Sequence, residues 1–372
     1  MRYTVEKLPW QSLLAPVSAA AEAIVRLDER AARSPVGAGL RERQHYADAI
    51  SSLWVDGELV HMEDLVFHDA RMDTRTPTHE LTIAHLILRS RREILQHPPA
   101  WAFSDQGLLR LRGRESGIGG DRSTGAAGPS QGADFAEDGQ TGDSSADEFQ
   151  AELDRFDAIL KRSASVLDDV STRRFQSRAD DPRAIVYDPD WNEEERLSDW
   201  RALVEDVQNL PPVLAAACLL DAWQSHDVSE HSPWLGRLLA AAYLHKTGLV
   251  QFHLPAVSIG LRAVPREQRQ AHQRSQRLLA IIDCFEKGAR LGLKEHDRLS
   301  LARTTLERRT VGRRGSSKLS DLIDLVLSRP LVSAGLVAKQ LDLTPQGALG
   351  LLKQLPLREL TGRGRYRAWG IL

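Results

Sequence analysis

Residues 333–355 read SAGLVAKQLDLTPQGALGLLKQL, and this stretch decides the fold of the C-terminal part of the chain. Apolar residues recur at helical spacing in its first part, the segment Asp342-Leu343-Thr344 interrupts them, and a second apolar run follows. Thr344 is placed to cap the second run, and Pro345 takes the first helical position, where proline is well tolerated. The pattern predicts helices over 333–341 and 345–355, joined by a tight turn.

The segments on either side of this stretch extend the pattern. A further apolar run predicts a helix over 319–327. Downstream, residues 357–361 and 365–372 flank Gly362-Arg363-Gly364 as two short strands flank a hairpin turn. Helix, helix, turn, helix and hairpin, in that order, predict a winged helix-turn-helix domain over 319–372.

The charge of this region indicates an anionic partner. Residues 301–372 carry 13 Lys and Arg against 5 Asp and Glu, whereas the whole chain has a net charge of −2, so the remainder is acidic. A basic module on an acidic body favours binding to duplex DNA. We expect its contacts to come from polar side chains of the third helix and alternating arginines of the hairpin. These residues are Gln346, Lys353, Gln354, Arg363, Arg365 and Arg367.

A second interpretation of the same module stays open. The third helix offers few side chains that read base edges, and Gly347 and Gly350 lower its helix propensity. A winged module of this kind also serves as a surface that binds a protein partner. The sequence therefore leaves a protein-binding or vestigial module as the alternative to a DNA-binding one.

The rest of the chain is predicted to be mainly α. A segment rich in Gly, Ser and acidic residues interrupts it over 112–149, and such a composition predicts a disordered linker. We expect an N-terminal helical region over 1–111, this linker, a helical core over 150–309 and the winged domain over 319–372. Helical periodicity is found over 17–32, 40–53, 78–95, 151–167, 193–208, 213–225, 235–247, 266–287 and 295–309.

The cysteine content and the hydropathy of the chain indicate in which cellular compartment the protein resides. Cys218 and Cys284 both lie in apolar helical contexts, which is typical of small core residues rather than of a disulfide framework. The longest apolar run, 213–220, is too short to span a membrane, and the N-terminus has no signal-peptide core. We expect a soluble, cytoplasmic protein without a membrane partner.

The densest group of chemically capable side chains lies between two apolar helices, where residues 225–237 read SHDVSEHSPWLGR. This loop resembles the motif of Fic-type proteins, His-Pro-Phe-x-(Asp/Glu)-Gly-Asn-Gly-Arg-x-x-Arg. His226 falls on the histidine of the motif, Glu230 on its acidic position and Arg237 on its last arginine. The resemblance implies a Fic-like helical body followed by the winged domain.

For a Fic enzyme the resemblance implies transfer of AMP from ATP to a protein hydroxyl. His226 would be the general base, Glu230 would hold Mg²⁺, and Arg237 would contact phosphate. However, Gly-Asn-Gly-Arg is replaced here by residues 231–234, and Pro233 has no N–H to donate to a phosphate. We therefore expect a catalytically degenerate protein that needs no cofactor, with Mg²⁺ and ATP confined to the transferase alternative.

A second segment upstream is similar to the inhibitory motif of the Fic family, Ser/Thr-x-x-x-Glu-Gly/Asn. Ser52, Asp56 and Gly57 fall on its fixed positions, with Asp in place of Glu. The layout as a whole resembles an uncharacterised bacterial family that ends in a helix-turn-helix.

Two plainer interpretations of the central loop stay open. Ser232 and Pro233 are residues that commonly cap and open a helix, which leaves His226 and Glu230 as ordinary loop residues. A metal site formed by His226, Glu230, His231 and His245 is a further alternative, although the spacing follows no known ligand pattern. The leading hypothesis is a DNA-binding regulatory protein on a degenerate Fic-like scaffold, and a scaffold that binds a protein partner is another possibility.

Overall fold

The computed structural model describes residues 3, 5, 8–73, 76–112, 192–229, 232–310, 317–360 and 367–371. These residues are mainly α-helical, which confirms the predicted fold class, and they belong to one compact unit. Residues 113–191 lie outside them, so the predicted linker beyond Arg112 and the first part of the predicted core over 150–191 are not described. No helix within these ranges is both long and apolar enough to cross a membrane.

The N-terminal part contains five α-helices and one 3₁₀ turn. α1 begins at Trp10 rather than at the predicted residue 17, because buried Leu13 extends its apolar face upstream of Pro16. Gly57 ends α2 with a φ of 93°, a left-handed conformation that glycine adopts without strain. The elements are α1 Trp10–Ala32, α2 Gly37–Asp56, α3 Met62–Asp69, α4 His79–Gln96, the 3₁₀ turn Trp101–Phe103 and α5 Asp105–Leu111.

Six helices follow the gap. α7 and α8 are buried on nearly all sides and are mostly apolar, as is typical of helices in the centre of a domain. Around them, α11 packs against α1, α2, α7, α9 and α10, and α2 packs against α4 and α9. The elements are α6 Glu193–Asp206, α7 Pro212–Ser225, α8 Pro233–Lys246, α9 Val257–Arg262, α10 Arg266–Arg269 and α11 Arg274–Thr310.

The continuity of α11 corrects the sequence prediction. The predicted helices over 266–287 and 295–309 are instead a short α10 and one helix of 37 residues. Gly288 and Gly292 do not interrupt α11 but let it pack closely. A Cβ at Gly288 would lie 2.7 Å from the carbonyl oxygen of Ala256, and one at Gly292 would lie 2.5 Å from a methyl carbon of Leu27.

The C-terminal part has the predicted order of elements with two differences. The third helix ends at Leu352 rather than at Leu355, and Val332–Ser333 form a strand that the sequence pattern did not show because it is only two residues long. The elements are α12 Ser317–Ser328, β1 Val332–Ser333, α13 Ala334–Leu341, α14 Pro345–Leu352, β2 Arg358–Glu359 and β3 Ala368–Gly370. The strands are antiparallel in the order β1-β3-β2, with Val332 opposite Trp369 and Arg358 opposite Gly370.

Candidate functional site

The turn between α13 and α14 is tightly specified. α13 ends at Asp342, which has a left-handed backbone with φ 51° and ψ 61°, a conformation that Asp tolerates better than most residues. The N–H of Leu343 donates to the carbonyl of Ala338 at 2.9 Å. Thr344 Oγ1 accepts from the N–H of Gly347 at 3.1 Å, which confirms the predicted cap, and Pro345 opens α14. The two helices are therefore held in a fixed geometry without a flexible loop.

α14 has one buried face and one bare, polar face. Ala348 and Leu352 are buried against the rest of the domain, whereas Gln346, Lys353 and Gln354 are exposed in or just after the helix. Gln354 donates from its side-chain amide to the carbonyl of Gly350 at 3.3 Å. Gly347 and Gly350 are also exposed, and a Cβ at Gly350 would meet no atom within 4 Å. The outer face of α14 therefore presents a few polar groups beside a nearly uncovered backbone.

Of the three hairpin arginines that the sequence predicts to contact DNA, the structure describes Arg367. Arg367 is exposed, donates to Glu359 across the β2–β3 pair at 2.9 Å, and lies 5.4 Å from the ring centroid of Trp369. Arg363 and Arg365 lie outside the described residues. The role of the three arginines in DNA binding stays a prediction.

The winged domain is attached to the body by charged contacts at Asp69, the last residue of α3. Asp69 accepts from Arg92 of α4 at 2.7 Å, from Arg329 at the end of α12 at 2.8 Å, and also from Tyr46. Burial raises the pKa of Asp69, but the hydrogen bonds from His85 and Arg92 outweigh it and lower the pKa to about 2. Asp69 is therefore charged at neutral pH and links three helices of the body to the winged domain.

A close backbone approach reinforces this attachment. A Cβ at Gly39 of α2 would lie 3.0 Å from the carbonyl oxygen of Leu327 in α12. Arg43, on the next turn of α2, bonds to Glu295 at 3.0 Å and donates to the carbonyl oxygen of Arg329. The N-terminal half of α2 is thus one of the parts of the body that hold the winged domain, together with α11.

The opposite end of α2 holds the residues that resemble the inhibitory motif. Arg237 of α8 is 3% exposed, and its guanidinium donates to Ser52 Oγ at 2.9 Å and to Asp56 Oδ1 at 2.9 Å. It also donates to the backbone carbonyl of Ser52 at 3.2 Å. The structure therefore joins the last arginine of the central loop to two residues of the upstream segment. Gly57 ends the helix beside them.

His226 takes part in a different set of contacts. It lies at the end of α7, where its N–H donates to the carbonyl of Ala222 at 3.0 Å and its carbonyl accepts from Arg196 of α6. Its ring meets Tyr3 edge-on, with 5.9 Å between the ring centroids. Burial lowers the pKa of His226, and the charge of Arg196 adds to that effect. Glu230 and His231 lie outside the described residues, so their predicted roles remain predictions.

Pro233 and Trp234, which fall on the second glycine and the first arginine of the motif that the loop resembles, begin α8. Pro233 is its first residue, and the indole of Trp234 is almost fully buried. Ser232 precedes the helix but makes no capping hydrogen bond, which corrects the expectation that it is a cap. Its ψ of 59° lies outside the extended region from which a side chain reaches the free amides of the first turn.

Three arginines near Arg237 were missed by sequence reasoning. Arg262, Arg266 and Arg269 are spaced four and three residues apart, a spacing that would have placed them on one helical face. Trp54 lies between Ser52 and Asp56 and is 37% exposed. Pro265 concealed the spacing, because it suggests a break between the first arginine and the other two.

The described residues offer no assembled metal site. No three His, Cys, Asp or Glu side chains among them are grouped as ligands of one ion. His245 is buried in α8, and its Nδ1 pairs with the carbonyl oxygen of Val250 at 3.0 Å. Because Glu230 is not described, the fit of this chain to the Mg²⁺ of the Fic reaction rests on a residue without a known position.

Comparison with known proteins agrees with the geometry of the C-terminal part. Residues 319–372 match the family described as "HTH DNA binding domain", and residues 185–311 match the family described as "Protein of unknown function (DUF1612)". The "Uncharacterized protein y4cF" of Sinorhizobium fredii (strain NBRC 101917 / NGR234) is 44% identical over 380 residues, which cover 100% of both chains. The chain therefore belongs to the family of this Sinorhizobium fredii protein.

Proposed function

We propose that this protein is a DNA-binding regulator that holds duplex DNA against α14 and the β2–β3 hairpin. The observation that carries the proposal is the outer face of α14, where Gln346 and Lys353 flank an uncovered helix backbone. A helix with such a face fits the major groove, in which lysine and glutamine pair with base edges. The buried face of α14 supports the same orientation, since it packs on α12 and α13 and directs the polar face away from the core of the winged domain.

The attachment of the winged domain supports a regulatory role. Asp69 and Arg43 connect the winged domain to α2, α4 and α11 of the body. DNA that binds at α14 therefore contacts a domain that is packed against the body, not one that is joined to it only by a flexible linker. The body can therefore influence how the domain meets DNA. A module that binds a protein partner through the same face is the alternative, and the DNA measurement below separates the two.

We further propose that the body is a Fic-like scaffold without transferase activity. Arg237 is already bound by Ser52 and Asp56, the indole of Trp234 is buried at the start of α8, and Pro233 has no N–H for a phosphate. His226 is engaged by other elements, at Tyr3 and Arg196. These contacts favour a structural role for residues that perform catalysis in Fic enzymes.

The DNA proposal is tested by fluorescence anisotropy of the full chain with a pool of random-sequence duplexes, from low to physiological salt. We expect binding that weakens steeply with salt, because lysine and arginine release counterions from phosphate. The Gln346→Ala/Lys353→Ala double variant should lose affinity about tenfold or more. Arg26→Ala, which removes an exposed α1 arginine paired with Glu22, is the matched control and should bind normally. Absence of binding to every duplex at low salt would refute the proposal.

The scaffold proposal has a separate test. The wild type, His226→Ala and Asp56→Gly are incubated with Mg²⁺ and ATP labelled on the α-phosphate, alone and with a bacterial lysate. We expect no protein to become labelled, even with Asp56→Gly, which removes the carboxylate that pairs with Arg237. Labelling that depends on His226 would instead establish the transferase alternative.

A further inference from the structure

The C-terminal end of α2 is surrounded by arginines from three other helices. Trp54 is partly exposed there, and the guanidinium carbon of Arg262 lies 5.1 Å from its ring centroid. The guanidinium carbon of Arg269 lies 6.0 Å from the same centroid. Arg237 reaches the neighbouring residue Asp56 from α8. Two arginines therefore share one indole, and a third lies beside it.

Only one of these arginines has an acidic partner in the part of the chain that the structure describes. Arg237 pairs with Asp56, whereas Arg262, Arg266 and Arg269 form no ion pair with any described carboxylate. Arg266 donates to the side-chain oxygen of Gln270 at 3.1 Å, which leaves its charge uncompensated.

Arg269 is the most informative member of the group. Its Nε is buried from solvent and has no hydrogen-bond acceptor among the described residues. A buried N–H without an acceptor is costly, and in folded proteins such a donor usually has a partner. Burial lowers the pKa of Arg269, and the positive charges of Arg266 and Arg237 lower it further. The site therefore holds an excess of positive charge, which a bound anion would compensate.

Other features of the protein compensate only part of this charge. The C-terminal end of α2 carries a partial negative charge of about half a unit, and Asp56 adds one full charge. Four guanidinium groups exceed that sum. Glu267, which lies in α10 between Arg266 and Arg269, adds one further negative charge that raises the pKa of Arg269, although it forms no ion pair with either arginine and still leaves the positive charges in excess. The excess is concentrated on an otherwise acidic body, which makes this end of α2 a distinct basic surface.

We propose that Arg262 and Arg269, which lie beside Trp54, bind the phosphate group of a small molecule, together with Arg266 of the same short helix as Arg269. A guanidinium presents a planar fork of donors that matches phosphate oxygens, and the exposed indole offers a flat face on which a ring of the ligand can stack. This phosphate site uses α9, α10 and the end of α2, not the α7–α8 loop. It is independent of DNA binding by α14, because the winged domain packs on the other end of α2.

The test is isothermal titration calorimetry of the full chain with inorganic phosphate, pyrophosphate and ATP. EDTA is present, so that binding through Mg²⁺ does not contribute. We expect pyrophosphate or ATP to bind, and Arg262→Ala and Arg269→Ala each to weaken binding at least tenfold. ATP binding more tightly than pyrophosphate would identify a ligand with a ring on Trp54, and Trp54→Leu should then remove the difference. Arg33→Ala removes an exposed arginine of α1 and is the control that should bind as the wild type does.

Folding is checked on the same variants by thermal unfolding. Arg269→Lys keeps the charge but not the forked donors, so it should fold normally and bind more weakly than the wild type. The proposal is overturned if the wild type binds none of the three ligands at millimolar concentration, or if Arg262→Ala and Arg269→Ala bind them unchanged. A third outcome would also overturn the proposal: none of the three ligands binds, and Arg262→Ala and Arg269→Ala each lose affinity for duplex DNA. Arg262 and Arg269 would then belong to a DNA interface.

Discussion

Asp56 and Arg237 are separated by 181 residues in the sequence and form a bidentate ion pair between the end of α2 and the first turns of α8. Arg237 is buried, whereas the side chain of Asp56 lies at the rim of the contact and is 21% exposed. Ser52 accepts from the remaining guanidinium N–H groups. The pair therefore fixes two helices against each other and determines whether Arg237 is available to anything else.

Removal of Asp56 should destabilise the fold. Asp56→Ala leaves the Arg237 guanidinium buried with only Ser52 as acceptor, and we expect the free energy of unfolding to fall by about 2 kcal/mol. Urea denaturation followed by circular dichroism measures the change. Glu58→Ala, at an exposed position just beyond the end of α2, is the control and should change the stability by less than about 0.5 kcal/mol.

A double variant separates the pair from its surroundings. Asp56→Ala/Arg237→Met removes both charges, so it should recover part of the stability that Asp56→Ala alone loses. The loss of unfolding free energy caused by Arg237→Met is measured once in the wild type and once in Asp56→Ala. If the two losses are equal, the two side chains do not interact energetically and our interpretation is wrong.

The contact between the body and the winged domain should depend on pH through Asp69. Its pKa is lowered to about 2 in the folded protein, so the associated stability is present above the ordinary carboxyl pKa and is lost as the pH falls toward 2. This lowering of the Asp69 pKa corresponds to about 2 kcal/mol of folding free energy. The difference in unfolding free energy between the wild type and Asp69→Asn should therefore be largest near pH 7 and should shrink between about pH 4 and pH 2.

The same experiment distinguishes this charge from others that titrate in acid. Asp324→Asn removes an exposed carboxylate that pairs with Arg303, and its difference from the wild type should be small and nearly constant over that range. A wild-type minus Asp69→Asn difference that does not change between pH 7 and pH 3 would show that Asp69 does not supply the expected stabilisation.

The sequence predicted local features of this protein well and long-range contacts poorly. The Thr344 cap, the Asp342 turn and the hairpin are encoded within a few residues, so their pattern was sufficient. Ser52, Asp56 and Arg237 were each singled out, but their meeting depends on how α2 packs on α8, which no local pattern shows. His226 and Arg237 were aligned on one motif by counting, yet they contact different elements.

The glycines of α11 also show that a local sequence pattern does not reveal tertiary contacts. Gly288 and Gly292 have low helix propensity, so the sequence suggested a break where the structure has a continuous helix. Their role is visible only once Ala256 and Leu27 are placed against them. Arg329 likewise gave no signal, because its partner Asp69 precedes it by 260 residues.

Close packing of α9 on α11 predicts a strong effect at Gly260. A Cβ there would lie 1.8 Å from the backbone carbonyl oxygen of Cys284, and backbone cannot move aside as a flexible side chain can. We expect Gly260→Ala to lower the free energy of unfolding by about 3 kcal/mol, despite the higher helix propensity of alanine. Gly350→Ala, in α14, is the matched glycine substitution, because a Cβ there meets no atom within 4 Å and the change should be neutral or stabilising when measured by the same thermal unfolding.

Gly350 should separate folding from DNA binding. A side chain at this position meets no atom of the protein within 4 Å, so packing does not require glycine. Gly350→Ala should raise the free energy of unfolding by about 0.5–1 kcal/mol, because alanine favours the helix. Gly350→Leu should also fold, yet it should reduce affinity for duplex DNA about tenfold or more if α14 lies against the groove, since the added side chain holds the helix away from the bases. Gln340→Leu places the same side chain at an exposed position of α13 and should bind DNA normally. DNA affinity that Gly350→Leu leaves intact would mean that another face of the winged domain meets the duplex.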